Sequence, residues 1–319
     1  MVFNYEKLSR KEALSILDLP DEKLPELLDV VYEIRKKHKG NIVSVQLLTN
    51  ARSGNCTENC AYCAQSHESG ADIDRYNIIS RDKLIKDGYI VQEKNLARHC
   101  IGFSGIRFTD HEINAFADII KELKKETQTP ICCSIGLLTL EQAYRLKEAG
   151  VDRINHNLNT SRRFYPHICT THTYEERISN IKMLKSIGFE ICCGGIIGLG
   201  EDKTDIVDML FEIQSIYPQA VPVNFLLPIK GTALENMDTS YLTPEFCLKV
   251  LCLARLLTPK SDIRCAAGRE VYLKGKEKWM FYAVDSIFAS GYLTTDGQSI
   301  EETIKIITDA GFQCYLETI

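Results

Sequence analysis

Cys56, Cys60 and Cys63 occupy one short stretch, Ser53-Gly54-Asn55-Cys-Thr-Glu-Asn-Cys-Ala-Tyr-Cys, a Cys-x3-Cys-x2-Cys pattern with Tyr62 just before the last thiol. Three thiolates on one loop can ligate three corners of a [4Fe-4S] cube, and with no fourth cysteine nearby one iron lacks a protein ligand. An open iron lets a cluster hold a reactive ligand as well as pass electrons. Structural zinc is the competing reading. It favours paired Cys-x2-Cys ends completed at short range by a second pair or by histidines. Here the next histidine is His67, and the downstream cysteines fall one per predicted strand.

A second set is spread out. Cys100, Cys132 and Cys192 each sit in a different predicted strand, and Arg264 sits in a fourth. Singly, each thiol reads as packing, since free cysteine is among the most buried residue types. At comparable depth on separate strands, beside a cluster loop, they point to a second metal centre. Cys133, Cys193 and Cys265 are sequence neighbours of these candidates, and strand alternation points one member of each pair inward and the other outward. Near a frayed strand end both could reach the interior, so a centre of more than two irons stays open. Cys169, Cys247, Cys252 and Cys314 fall on helices or loops, where packing is favoured.

Polar residues add to this picture. Alternation places Asn155, Asn157 and Asn159 on one face of a strand, and three buried amides are costly without partners. A polar ligand explains them economically; ordered water is the alternative. Asn224, between Pro222 and Phe225 in an apolar strand, invites the same argument. Gly194-Gly195-Ile196-Ile197-Gly198-Leu199-Gly200-Glu201 closes one strand and opens a helix, which permits close backbone approach to a ligand. The segment lacks the Gly-x-Gly-x-x-Gly spacing of a dinucleotide site, and an ordinary strand-to-helix turn is built the same way.

The elements that must position these residues alternate. Apolar runs at Ile42–Leu48, His99–Ser104, Ile131–Ile135, Arg153–Leu158, Glu190–Ile197, Val221–Leu227, Asp262–Ala266 and Ser286–Ser290 read as strands. Helical patterns at Glu112–Glu126, Leu140–Ala149, Thr173–Ile187, Lys203–Ile216 and Pro244–Leu257 lie between them. Gly150, Gly188 and Gly311 stand where helices should end before strands. Eight βα units predict an α/β fold of the (β/α)8 TIM-barrel type over 41–319, with Arg10–Leu17 and Lys23–Lys37 forming a helical extension over 1–40. In such a barrel, residues near the C-terminal strand ends converge on one site.

Composition narrows the function. A net charge of −5 leaves no basic face to neutralise phosphates, so a nucleic-acid partner is not expected. No basic start followed by an apolar run marks a leader, and no stretch is long enough to span a membrane. Thirteen cysteines in such a chain suggest metal ligands rather than a disulfide framework, in a reducing cytoplasmic setting.

The ordered set of motifs resembles the biotin synthase family of radical S-adenosylmethionine enzymes. It comprises the Cys56/Cys60/Cys63 loop, Ile154–Thr160, Gly194–Glu201, Val221–Asn224 and the run Arg264-Cys-Ala-Ala-Gly-Arg-Glu270, and the likeness runs from about residue 40 to about residue 300. The resemblance implies a (β/α)8 barrel, usually a homodimer, acting on dethiobiotin with an electron donor such as flavodoxin or ferredoxin. It implies that Cys56, Cys60 and Cys63 hold a [4Fe-4S] cluster whose open iron is chelated by S-adenosylmethionine. One-electron cleavage then gives a 5′-deoxyadenosyl radical that abstracts hydrogen from two carbons in turn. An auxiliary cluster, [2Fe-2S] in the family, supplies the inserted sulfur. Cys100, Cys132, Cys192 and Arg264 match its four ligand positions; an arginine ligand is unusual because guanidinium is normally protonated. By the same resemblance Asn155 and Asn224 bind the ureido group of the substrate, Asn157 contacts substrate or cofactor, and Gly194, Gly195, Ile196 and Gly198 meet the adenosyl group. Asn159 would meet the ribose, where the family usually carries aspartate.

The doubled cysteines leave the size of the auxiliary centre open. A sister radical enzyme, such as a hydrogenase maturase or a lysine mutase, need not keep Cys100, Cys132, Cys192 and Arg264 together. A non-catalytic iron–sulfur carrier would generally complete the coordination of each cluster and be small.

Overall fold

A computed structural model describes residues 7–295 and 297–314. The outermost residues of the expected extension and of the barrel segment, 1–6 and 315–319, lie outside it. Eight parallel strand positions close into a barrel: β1 (Ile42–Arg52), β2 (Arg98–Phe103), β3 (Ile131–Ser134), β4 (Arg153–Asn155), β5 in two pieces (Glu190–Cys192 and Gly195–Ile197), β6 (Ala220–Phe225), β7 (Asp262–Cys265) and β8 (Ser286–Ala289). Each pairs with its neighbour, and β8 pairs with β1 to complete the ring. A two-residue strand, Gln313–Cys314, adds to the outer end of β1. No helix among the described residues is long and apolar enough to cross a membrane.

The expected strands are all present. The main departure is β4, which ends at Asn155 rather than Leu158. Beyond it the chain leaves regular pairing because Asn159 takes a left-handed φ of +71° and bridges Gly195. A helix at Arg81–Glu93 was not legible in the apolar pattern, since its buried face includes Asp87 and Gly88. Asp87 is tolerated there because Thr49 Oγ1 donates to it at 2.8 Å and Lys83 lies beside it.

Local chemistry starts and stops the helices as expected. Thr109, Thr139, Thr173 and Ser299 each cap a helix and are answered by Glu112, Gln142, Glu176 and Glu302 in reciprocal capping boxes. Gly150, Gly188 and Gly311 follow helix ends with φ of +103°, +90° and +84°. The helix starts therefore ring the C-terminal rim of the barrel, where the strand-end residues open.

The opposite end is closed by charge. Arg35, on the N-terminal helix Leu24–Lys39, is buried and donates to the carbonyls of Val284, Gly40 and Ile42. Arg255 donates to Ala283 O at 3.0 Å and Ser261 O at 2.8 Å and pairs with buried Asp285. Arg153 pairs with Glu190 at 2.8 Å and Asp262 at 3.5 Å, and Lys39 reaches Asp262 at 2.6 Å. Arg35 and Lys39 thereby tie the helix Leu24–Lys39 to the barrel floor. Replacing Arg255 with alanine strands the Asp285 carboxylate in the core. The variant is expected to lose about 3–5 kcal/mol of stability, read as a lowered urea midpoint; an unchanged midpoint would remove this pair from the account of the floor.

Candidate active site

The loop after β1 carries the three clustered thiols and is held on both sides. Ser53 bridges Tyr76, Gln65 Oε1 accepts from Gly54 N at 3.1 Å, and Ser104 Oγ donates to Gly54 O at 2.5 Å. Cys63 N donates to Cys60 O at 3.0 Å, so the last two cysteines sit on one tight turn. All three thiols line a cavity of about 380 Å³ at the C-terminal rim of the barrel. Burial pushes the Cys63 thiol up to about 11 and raises that of Cys56. Thiols raised in this way give up their protons when a metal takes their place.

Deeper in, Cys100, Cys132, Cys192 and Arg264 all face the barrel interior and are between 0% and 4% exposed. Cys100 lies opposite Cys132 in the β2–β3 register, and Cys192 is opposite Asn155 in the β4–β5 register. Together with Ala220, Ala266 and Phe288 the three thiols form a separate small cluster inside the ring. Cys133, Cys193 and Cys265 belong instead to the large core between strands and helices. Alternation thus splits each doubled pair, and the second members face away from the cavity.

Arg264 Nη2 donates to Gln46 Oε1 at 2.6 Å, Nη1 approaches Cys192 Sγ at 3.8 Å and Nε reaches Ser286 Oγ at 3.3 Å. Its guanidinium lies over the Phe288 ring, 4.6 Å from the centroid. Gln46 Oε1 also accepts from Cys100 Sγ at 3.2 Å. A hydrogen bond from Cys132, helped by the Arg264 charge, lowers the Cys100 thiol against the opposing effect of burial, whereas Cys132 is pushed up to about 12. No carboxylate among the described residues pairs with Arg264.

The asparagines line the same cavity, although β4 stops before the last two. Asn155 donates to Ser134 Oγ at 3.3 Å, and its Oδ1 is buried without a partner. Asn157 Oδ1 accepts from Gly194 N at 3.0 Å. Asn159 Nδ2 donates to the hydroxyl of Tyr62 at 2.7 Å. Asn224 is held at both ends of its amide, Nδ2 to Gly195 O at 3.1 Å and Oδ1 from Ala267 N at 3.2 Å. Of the glycine segment, only Ile196 lines the cavity. A Cβ on Gly194 would fall 1.8 Å from Pro222 O, and one on Gly195 would fall 2.1 Å from Met209 Sδ. These two glycines are required by their own chain. Gly198, with φ of +108°, is crowded by Leu242 and Leu226.

Motif spacing did not single out three residues that the structure brings to the thiols: Glu58, His172 and Arg177. Arg177 is buried, donating to Tyr165 Oη at 2.6 Å, Asn157 O at 3.0 Å and His172 Nε2 at 2.8 Å, again without a carboxylate among the described residues. With Nε2 accepting, His172 carries its proton on Nδ1, which lies 2.7 Å from Glu58 Oε2. The only sequence cue to Glu58 was its place inside the thiol loop. Cys169, expected to pack, is buried as expected, but its Sγ lies 3.7 Å from Cys60 Sγ. The hydrogen bond between the two sulfurs lowers the Cys169 thiol and raises that of Cys60.

A parallel barrel with an open three-thiol loop at its rim is the arrangement of the radical S-adenosylmethionine superfamily, whose family model matches residues 50–213. The model of the Biotin and Thiamin Synthesis associated domain matches residues 222–313. The chain belongs to the biotin synthase family: it is 41% identical to a biotin synthase of Rhodopirellula baltica over 96% of its length and 84% of that protein. It is 42% identical to a biotin synthase of Geobacillus kaustophilus over 96% of its length and 92% of that protein. Among solved structures, methylornithine synthase shares the fold with a TM-score of 0.84 at 17% identity, covering 97% of this chain and 94% of that one. An FeFe-hydrogenase maturase from Carboxydothermus hydrogenoformans does so at 0.84 and 18%, covering 98% and 77%. These two likenesses concern the barrel alone. As a radical S-adenosylmethionine enzyme the chain works with a [4Fe-4S] cluster and S-adenosylmethionine.

Iron analysis separates the two thiol sets. Cys60→Ala is expected to lose the iron of the loop cluster and keep that of the inner set, whereas Cys133→Ala, Cys193→Ala and Cys265→Ala should retain the full content. Loss of iron in any of the last three would contradict their outward placement.

Proposed function

We propose that this chain inserts sulfur into dethiobiotin to give biotin, with the loop thiols holding the [4Fe-4S] cluster and the inner set holding an auxiliary cluster. The observation that carries the reading is the pair of buried guanidiniums, Arg264 and Arg177, that meet thiols and neutral groups rather than carboxylates. A buried cation is costly unless an anion compensates it. Thiolate-bound iron–sulfur clusters and the carboxylate of S-adenosylmethionine are such anions, and small Ala220 and Ala266 among the inner thiols suit a bulky inorganic group. The donor set therefore fits both groups.

When bound, the clusters and S-adenosylmethionine supply hydrogen-atom abstraction and the inserted sulfur. The chain supplies position and dryness. Leu48, Ile101, Phe225 and Phe288 wall the cavity with apolar surface, which keeps water from competing at a reactive carbon. The unpartnered Oδ1 of Asn155 accepts from a ureido N–H of the substrate. Asn224 assists only by sharing atoms already bonded to backbone. Asn159 offers its oxygen to the ribose, since its Nδ2 is given to Tyr62, and Ile196 packs on the adenosyl group. Asn157 contacts substrate or cofactor from the same rim.

Three inward thiols and one guanidinium support the smaller, [2Fe-2S], auxiliary centre over the larger one that the doubled cysteines suggested. The reading is completed by a homodimer in the cytoplasm, reduced by a one-electron carrier such as flavodoxin or ferredoxin.

The deciding experiment is anaerobic: protein reconstituted with iron and sulfide is incubated with reductant, S-adenosylmethionine and dethiobiotin. Biotin together with 5′-deoxyadenosine is expected; 5′-deoxyadenosine alone would move the substrate assignment to a sister enzyme. Within that assay Asn155→Ala should raise KM for dethiobiotin by a factor set by about 1–3 kcal/mol, with the melting temperature unchanged. Asn224→Ala should instead lower the melting temperature, because it removes two backbone contacts. The reverse pattern would exchange their roles.

A further inference from the structure

Cys169 lies outside both thiol sets, yet its sulfur is 3.7 Å from that of Cys60. Thiolates on one cube radiate from separate irons, so a sulfur in contact with Cys60 is poorly placed to serve as a fourth corner. Cys169 is buried, whereas Cys60 is partly open and lines the cavity. The two residues come from segments stitched together on either side of the contact. Ala61 N donates to Ile168 O at 2.9 Å, Asn59 Nδ2 donates to Thr170 Oγ1 at 2.7 Å, and Thr170 N returns a hydrogen bond to Asn59 Oδ1 at 3.0 Å. Glu58 Oε2 accepts from Thr171 Oγ1 at 2.6 Å and lies 2.7 Å from His172 Nδ1. The backbones are fixed relative to each other, and the sulfurs are left to close from 3.7 Å to the roughly 2.05 Å of a disulfide.

We propose that Cys169 is the resolving thiol for Cys60: in protein without its loop cluster, an oxidant reaching the cavity converts the pair into a reversible disulfide. With hydrogen peroxide as oxidant, Cys60 thiol is oxidised to a sulfenic acid and one water leaves. The Cys169 sulfur then attacks the Cys60 sulfur, forming the S–S bond; the sulfenic oxygen departs with the proton of Cys169 as a second water. Two thiols lose two electrons, and one peroxide is reduced to two waters. The disulfide diverts Cys60 from sulfinic acid, which ordinary thiols do not reverse. Reduction returns the thiol for cluster assembly; that consequence rests on Cys60 being a cluster ligand, whereas the pairing itself does not.

The test uses the full chain stripped of iron, treated with a slight excess of hydrogen peroxide, blocked with an alkylating agent and digested without reductant. Mass spectrometry is expected to find the Cys60 peptide joined to the Cys169 peptide. In Cys169→Ser the Cys60 peptide should instead carry sulfinic acid. After dithiothreitol, iron and sulfide, the native chain should recover at least about two-fold more loop-cluster iron than the variant, given that sulfinic acid is not reduced. Samples never exposed to peroxide should load equally, which controls for folding of the variant. Cys60 recovered from the native chain as sulfinic acid, or joined to Cys56 or Cys63, would overturn the proposal without recourse to any variant. A Cys60–Cys169 link in a chain whose Cys60→Ala variant still takes up all its iron would uphold the pairing and overturn the cluster assignment of Cys60.

Discussion

Uncompensated positive charge inside the barrel is the constraint around which the rest of the structure is arranged. On the floor, Arg255 meets Asp285, Arg153 meets Glu190 and Asp262, and Arg35 gives its donors to three backbone carbonyls within the field of Asp285. Around the cavity, Arg264 rests on an amide, a hydroxyl, a thiol and a phenyl face, and Arg177 on a phenol, a carbonyl and an imidazole. Unlike Arg35, neither of these two guanidiniums has its donors taken up by backbone carbonyls alone, and a desolvated charge resting on thiols and neutral side chains is costly. An anionic group held by thiolates offsets that cost. The difference between floor and cavity is thus a difference between charge placed for stability and charge placed for a ligand.

Strand alternation decides which thiols can take part. In a closed parallel barrel each residue faces either the axis or the helices, and a pair of adjacent cysteines cannot both face inward while the strand stays regular. Cys132 and Cys192 point to the axis, and Cys133 and Cys193 go under the helices. Arg264 and Cys265 divide in the same way on β7. The outward thiols are raised by burial, as expected of small apolar fillers. The doubling in sequence is therefore a doubling of residue type across the sheet.

The barrel was legible in the sequence because its strands are short apolar runs buried on both faces, and its helices carry capping residues at fixed offsets. The loop thiols were legible because their spacing is local. Arg264 and the inner cysteines needed only the alternation rule. What escaped was non-local or masked by composition. The helix Arg81–Glu93 hides behind a buried aspartate and glycine that break its apolar stripe. The meeting of Cys60 with Cys169 spans 109 residues of sequence and depends on how two loops cross at the rim. The glycine run has a packing reason as well as the one its composition suggests. Its composition suggests ligand approach, and Pro222 and Met209 also fill the space that a side chain on Gly194 or Gly195 would need.

Asn159 shows how backbone and site chemistry are joined at one residue. Its left-handed φ, which asparagine tolerates better than most residues, turns the chain off β4 and lets it bridge Gly195. That turn carries its side chain to Tyr62, inside the thiol loop. Aspartate could make the same turn, but its carboxylate could only accept, and so would take the tyrosine's proton into the pair. The amide donates instead, which leaves the Tyr62 hydroxyl proton free for another acceptor at the rim. An exchange of carboxylate for amide thus keeps the geometry that ties β4, β5 and the loop together. It removes one negative charge from a cavity whose arginines are already shared among thiols and neutral groups, leaving more of their field for whatever anion the thiols hold.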